Sequence, residues 1–255
     1  MEVVKPLEQR GNYETSRRVL QIINQVFRYA VITGRAKHNI AADLRGALRP
    51  RKTVHRAAVL EPEKVGQLLR DIDAYEGYFP LVCALKLAPL VFTRPTELRA
   101  AQWKEFDLEA GEWRIPAERM KMRRQHLVPL SRQAMAILQE LQKYSGEGTY
   151  LFPSIRTEVR PISDATMLNA LRRMGYQKHE MSVHGFRSIA STLLNELGYN
   201  RDWIERQLAH GEQNEVRAAY NYAEYLPERR KMMQAWADYL DGLRNIQQKR
   251  SREEA

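Results

Sequence analysis

Apolar residues recur at helical spacing along most of this 255-residue chain. Near the N-terminus an apolar stripe ends before Gly34, which predicts an amphipathic helix followed by a glycine stop. A second, short helical piece is predicted over residues 41–48. The apolar members of the first stripe are Val19, Ile22, Ile23, Val26, Phe27 and Ala30.

A larger helical region begins at Glu61, where Pro62 and the neighbouring acids are typical of a helix start. The nearly continuous apolar segment 78–92 predicts a core helix, and a short polar helix is predicted from Pro95 to about Gln102. Later helices are predicted to start near Ser131, Ser163, His184, Arg201 and Pro227.

Two short runs with β character flank a basic stretch. Residues 112–115 and 126–130 are predicted strands, and residues 118–124 between them are predicted to form a loop or hairpin tip. The whole pattern is that of an α+β protein that is mainly helical and carries a small antiparallel β-sheet.

The segment 49–56 contains four basic residues, one proline and no acid, which is typical of an extended linker between domains. A solvated loop and a strap against a DNA backbone are equally compatible with this composition. The charged end of the chain, residues 246–255, is predicted to be frayed.

The balance of 41 Lys and Arg against 31 Asp and Glu gives a net charge of +10, which favours a polyanionic partner. The single cysteine, Cys83, excludes a disulfide within the chain and favours a reducing compartment. Because Cys83 lies in an apolar run, a buried core residue is favoured over a catalytic thiol. With no membrane-length apolar stretch and no signal peptide at residues 1–6, we expect a cytoplasmic protein.

Arginine and histidine side chains stand at predicted helix starts, where anions are favoured. Arg94 precedes Pro95, and Glu97 is close enough to steady its guanidinium or to form an ordinary structural ion pair. His184 and Arg187 share one helix face, although a surface histidine and arginine often occur together without function.

Three further residues complete the candidate chemistry. Tyr220 is a nucleophile only if cations or a base favour its phenolate, and its alternative role is an interface aromatic. Lys121, in the basic loop, is a general-acid candidate or a plain phosphate contact. His210 lies between the second arginine and this tyrosine.

The order Arg, Lys, His-x-x-Arg, His, Tyr resembles that of the tyrosine recombinases, in particular the phage and genomic-island integrases of the P4-like group. The resemblance runs from about Tyr13 to Leu240. It is close over residues 92–98, 118–124, 128–131, 184–187, 216–226 and 236–240.

The resemblance implies roles for these residues. Arg94 and Arg187 match the two arginines that hold the scissile phosphate, and Glu97 matches the acid that supports them. Lys121 matches the hairpin lysine that protonates the departing 5′ oxygen. The histidines that assist proton transfer or bind the phosphate, and the tyrosine that forms a 3′-phosphotyrosyl bond, are matched by His184, His210 and Tyr220. Tyr222 and Tyr225 are the alternative nucleophiles.

The resemblance also implies a domain plan. Residues 1–48 would be a partial helical core-binding domain, 49–58 a basic linker, 59–245 the catalytic domain and 246–255 a charged tail. Because only about fifty residues precede the linker, the arm-binding part is expected to be absent and the chain to be a fragment or shortened product. The expected DNA contacts are Arg49, Arg51, Lys52, Arg56, Arg119, Arg123 and Arg124.

The implied function is site-specific recombination that integrates or excises a mobile element. The implied partners are double-stranded DNA at an attachment site, four protomers on paired sites, and accessory DNA-bending and excision factors; no cofactor, metal or membrane is expected. The apolar stripe around Trp236 and Tyr239 would pack on its own domain or dock on a neighbour. The rival functions are a type IB topoisomerase, a non-catalytic DNA-binding protein and a metal-dependent nuclease.

Overall fold

The computed structural model describes residues 1–44, 46–49, 57–210 and 225–253, with side chains of the last helix described as far as residue 245. The chain divides into two compact units, Met1–His55 and Arg56–Ala255. None of the described helices is long and apolar enough to cross a membrane.

The first unit is built from helices. They are α1 (Lys5–Gln9), α2 (Tyr13–Ile32) and a 3₁₀ turn (Ala42–Leu44). The stripe that predicted α2 is only half-buried, and Ile22 and Val26 remain 53% and 60% exposed. Val4, Ala41 and Leu48 are buried in this unit, and Asn39 Nδ2 donates to Asn24 Oδ1 at 2.7 Å.

The second unit combines helices with two small antiparallel sheets. Its helices are α3 (Pro62–Ala74), α4 (Phe79–Val91), α5 (Pro95–Arg99), α6 (Arg132–Ser145), α7 (Asp164–Arg173), α8 (Gly185–Glu196), α9 (Arg201–Gln207) and α10 (Leu226–Glu253). Its strands are β1 (Phe106–Asp107), β2 (Glu112–Ile115), β3 (His126–Pro129), β4 (Pro153–Ser154) and β5 (Thr157–Pro161). The prediction of a mainly helical α+β fold is confirmed.

The larger sheet has the strand order β1-β2-β3, with Trp113 paired to Val128 across β2 and β3. Trp113 is fully buried, and its indole Nε1 donates to Glu105 Oε2 at 2.9 Å. Side chains alternate along β2, so Arg114 points out while its neighbours Trp113 and Ile115 fill the core. The β4–β5 hairpin was not predicted, because its strands are short and largely exposed.

Helix α4 lies at the centre of the unit and is apolar except for Lys86, as the segment 78–92 predicts. Cys83 lies in this core, where burial raises the pKa of its thiol to about 11. The interpretation of Cys83 as a core residue is therefore confirmed.

Helix α10 packs on the core of its own unit. Trp236 is fully buried, its indole Nε1 donates to the Pro89 carbonyl at 2.9 Å, and its ring meets Phe92 edge-on. Met232, Met233 and Leu240 are buried with it. Of the two uses considered for the stripe around Trp236, the structure shows packing within the unit.

Gly66 provides a test of how α3 and α10 pack. A Cβ atom at this position would lie 2.5 Å from the Leu243 carbonyl oxygen, which is too close for any side chain. Although alanine is the better helix former, we expect Gly66→Ala to lower the free energy of unfolding by about 1–3 kcal/mol in urea denaturation, because the helices must separate.

Gly242, also helical, is the matched control. A Cβ atom there meets nothing within 4 Å. Gly242→Ala should therefore raise the unfolding free energy by up to about 1 kcal/mol. Equal stabilities of the two variants would contradict the close approach of α3 and α10.

Candidate active site

Arg94 lies at the turn between α4 and α5. Phe92 ends α4 in the left-handed region, with φ 36°, and Pro95 starts α5 immediately after Arg94. The buried Glu97 carboxylate accepts from the Arg94 main-chain N–H and from its Nη1, both at 2.8 Å. The guanidinium Nη2 donates to the Ala209 carbonyl at 2.9 Å. The Arg94–Glu97 pair therefore forms, and it directs the remaining arm of the guanidinium towards Ala209.

Arg187, in the first turn of α8, is 4% exposed. Its Nη1 donates to the Phe92 carbonyl at 2.9 Å and its Nη2 to the Leu208 carbonyl at 2.7 Å. Burial, reinforced by the positive charge of Arg94, lowers the pKa of Arg187 to about 10, so the side chain stays charged at neutral pH. The two arginines that sequence reasoning singled out are thus brought to adjacent carbonyls, those of residues 208 and 209.

His210 contacts one of the two arginines, Arg187. Its Nε2 lies 3.1 Å from Arg187 Nη2, and its Nδ1 lies 2.8 Å from Glu205 Oε2. Because a guanidinium only donates, Nε2 must be the acceptor, and the ring proton lies on Nδ1 towards Glu205. Residues 207–210, here named the 207–210 corner, therefore hold both guanidiniums through two carbonyls and one imidazole.

Among the other predicted site residues, His184 and Lys121 lie in the described part of the chain. His184 is half-buried at the N-cap position of α8, one turn before Arg187. Lys121 is exposed in the loop between β2 and β3. Tyr220 and Tyr222 lie outside the described residues, and Tyr225, with φ 47°, directly precedes α10.

Arg119, which was expected to contact DNA, contacts other residues of the second unit instead. Its guanidinium pairs with the buried Glu105 carboxylate and donates to the Glu97 carbonyl at 2.5 Å. A buried carboxylate requires a cation, and Arg119 provides it. Arg119 therefore supports the turn that carries Arg94.

Of the other expected DNA contacts, three lie among the described residues and three lie outside them. Arg123 and Arg124 are exposed in the same loop as Lys121, and Arg49, in the first unit, is exposed with its ring contact to Tyr13. Arg51, Lys52 and Arg56 lie outside the described residues.

A buried polar cluster that contacts the 207–210 corner was not predicted from the sequence. The Gln207 carbonyl lies 3.1 Å from His126 Nε2, and Gln207 Oε1 accepts from Nε and Nη2 of Arg229 at 3.2 and 2.7 Å. Gln207 and Arg229 are fully buried and His126 is 5% exposed. No local sequence signal indicates this set, since its contacts span 22 and 81 residues of sequence.

The His126 imidazole is neutral. Burial, followed by the charge of Arg229 and smaller effects of Arg187 and Arg94, lowers its pKa to about 3, although the hydrogen bond to Gln207 opposes this. The neutral ring thus donates from Nε2 to the Gln207 carbonyl. Among the described residues, no group of three or more His, Cys, Asp or Glu side chains could hold a metal ion.

Comparison with known proteins identifies the two parts of the chain. Residues 58–226 match the model of the Phage integrase family, and residues 1–47 match the Phage integrase central domain. The integrase of Enterobacteria phage P4 is 42% identical over 257 residues, covering 95% of this chain and 58% of the relative. The integrase of Shigella phage Sf6 is 36% identical over 242 residues, with coverages of 94% and 62%. The chain thus spans about three-fifths of the length of these relatives.

Solved structures agree on the fold. A lambda integrase dimer bound to a COC′ core site matches with a TM-score of 0.63 at 18% identity, over 89% of this chain and 62% of that one. The Tn1549 transposon integrase in complex with transposon right end DNA matches with a TM-score of 0.66 at 13% identity, over 91% and 82%. The chain belongs to the phage integrase family.

Proposed function

We propose that this chain cleaves and rejoins double-stranded DNA at a specific site, integrating or excising a mobile element. The observation that carries the proposal is the convergence of Arg94 and Arg187 on the 207–210 corner. Two guanidiniums held side by side offer several N–H donors and two positive charges to one phosphate. Family membership and the DNA complexes of the lambda and Tn1549 integrases support DNA as the source of that phosphate.

The proposed reaction is a transesterification. The Tyr220 phenol oxygen attacks the phosphorus, a P–O bond to tyrosine forms, and the bond to the 5′ oxygen breaks. The phenol proton passes to His184, and Lys121 gives a proton to the leaving 5′ oxygen. Because the phosphotyrosyl bond keeps the energy of the broken phosphodiester, the 5′ hydroxyl of a partner strand can reverse the step without ATP.

The arginine pair would stabilise the charge that develops on the phosphate. Donors already fixed in the protein need no reorganisation as the reaction proceeds, which is the main advantage of such a site. His210 would join them as a donor only with a proton on Nε2. In this mechanism the protein supplies the cations, so no metal is required.

The remaining partners are proposed by analogy. A lambda integrase tetramer has been solved on a Holliday junction, and we propose that four copies act on two paired sites here. The proposed backbone contacts are Arg123 and Arg124 beside Lys121, together with the basic residues of segment 49–56, which are Arg49, Arg51, Lys52 and Arg56. DNA-bending and excision factors are proposed accessory partners.

The test is a trapping assay on nicked DNA duplexes that carry candidate attachment sequences, in EDTA. The expected result is a covalent protein–DNA adduct whose phosphotyrosine is Tyr220. Because Tyr220, Tyr222 and Tyr225 share the tryptic peptide 218–229, the modified residue is located by fragmentation of that peptide. Tyr220→Phe should bind the same DNA and form no adduct. An adduct on Tyr222 or Tyr225 would reassign the nucleophile, and an adduct that requires a divalent metal would overturn the mechanism.

A further inference from the structure

The geometry of the arginine pair depends on a short piece of main chain. The Leu208 and Ala209 carbonyls accept from Arg187 and Arg94 at 2.7 and 2.9 Å. If these carbonyls move, the guanidiniums lose the acceptors that orient them. What fixes the 207–210 corner therefore also sets the direction of the phosphate donors.

Local structure alone fixes this corner poorly. It follows α9, a helix of only seven residues, and Ala209 adopts φ 48°, a left-handed conformation that disfavours residues with a Cβ atom. A strained residue persists only where surrounding contacts hold it.

Arg229 supplies such contacts from another part of the chain. Its Nε and Nη2 both donate to Gln207 Oε1, and Nη2 also donates to the Leu127 carbonyl of β3 at 2.5 Å. One guanidinium thereby joins the first turn of α10, the end of α9 and the start of β3. His126, adjacent to Leu127, adds a hydrogen bond to the Gln207 carbonyl.

The burial of Arg229 indicates that this geometry is specific. A fully buried guanidinium carries a large desolvation cost, and apolar side chains of similar size often give equal or greater stability. Arginine differs from such side chains in its planar guanidinium, whose N–H groups hold two acceptors in fixed directions. Arg229 is fully buried, and among its described contacts Gln207 is the one that belongs to the 207–210 corner.

We infer that Arg229 is a positioning residue for the phosphate-binding arginines, acting through Gln207 on the carbonyls of residues 208 and 209. The inference rests on the proposed function for its catalytic consequence. Its structural consequence is independent of the proposed function: the surroundings of the Arg94 and Arg187 guanidiniums should change when Arg229 is replaced.

The test compares Arg229→Met with Arg230→Met. Arg230, the next residue of α10, also ties this helix to the sheet, through Glu112 and the Ala110 carbonyl, without contacting the corner. The guanidinium N–H signals of Arg94 and Arg187 are recorded by NMR on arginine-labelled protein without DNA. Adduct formation and DNA binding are then measured separately.

We expect Arg229→Met to shift or broaden both guanidinium signals and Arg230→Met to leave them unchanged. The adduct rate at saturating DNA should fall by about 10- to 100-fold in Arg229→Met, since a displacement of about 1 Å has such an effect, while the Kd for DNA changes less than about threefold. Arg229→Lys, which keeps the charge without the fork, should fail to restore the rate.

A double variant separates positioning from stability. Arg229→Met combined with Gln207→Met removes the guanidinium and the side-chain amide that accepts from it, so the Gln207 amide is not left unpaired and part of the stability lost in Arg229→Met should be recovered. The low adduct rate and the altered signals should persist. The inference would be overturned if the double variant recovered the adduct rate and the wild-type signals together with the fold. It would also be overturned if Arg229→Met left the guanidinium signals unchanged, or if Arg230→Met had the same effects as Arg229→Met. A wild-type chain that forms no adduct would refute the proposed function, and the signals would still decide the positioning role.

Discussion

Replacing Arg187 with lysine should lower the rate of covalent adduct formation by about a thousandfold or more. Lysine keeps one positive charge but cannot reach the Phe92 and Leu208 carbonyls and a phosphate at once. The loss of a preorganised donor at a developing charge typically costs about 10²–10³ in rate, and Arg187 also holds His210. The measurement is single-turnover trapping on nicked DNA.

Arg172→Lys is the matched control for this loss. Arg172 is a half-buried arginine whose Nη1 also donates to two carbonyls, those of Tyr176 and Met181, at the end of α7. Both variants should lose about 1–3 kcal/mol of unfolding free energy, because each leaves carbonyls unsatisfied. Only Arg187→Lys should lose the rate. A fall of less than tenfold in Arg187→Lys would mean that this residue is structural.

Acid should destabilise the protein through His126. In the folded state the pKa of this residue is about 3, below its ordinary value of 6.5, because burial and Arg229 disfavour the imidazolium. Between these two pH values the unfolded chain binds a proton that the folded chain does not. Stability is therefore complete above pH 6.5 and falls as the pH drops, by about 1.4 kcal/mol per pH unit, or about 3 kcal/mol by pH 4.

The measurement is urea unfolding of wild type and His126→Gln from pH 7.5 to 4. Carboxylates contribute to acid sensitivity in both proteins, so the difference between the two curves isolates His126. Glutamine retains a donor for the Gln207 carbonyl but does not titrate. The unfolding free energy of His126→Gln should therefore fall by about 3 kcal/mol less than that of wild type over this pH range. Exposed His179→Gln is the control that should follow wild type. Parallel curves for wild type and His126→Gln would contradict a buried neutral imidazole.

Much of the fold and part of the site can be predicted from the sequence because their signals are local. The apolar segment 78–92 and the cap at Ser131, whose Oγ accepts from the Ala134 N–H, specify helices within a few residues. Arg94 and Arg187 stand at helix starts for reasons that a short window contains.

The rest of the site depends on contacts that no short window contains. Arg229 follows Gln207 by 22 residues and Leu127 by 102, so nothing in its neighbourhood distinguishes it from Arg230, the half-buried arginine that follows it. Arg119 was expected to face DNA because it lies in a basic run. The buried Glu105, fourteen residues away, takes its guanidinium instead.

The acceptors at the 207–210 corner are mostly main-chain atoms, and this affects how the site can change by mutation. A carbonyl is present whatever the side chain, so the bonds from Arg94 and Arg187 do not depend on the identity of residues 208 and 209. Substitutions there are limited by burial at Leu208 and by the left-handed backbone at Ala209, not by the chemistry of phosphate binding. Related sequences can therefore drift at these two positions while the arginine pair keeps the same orientation.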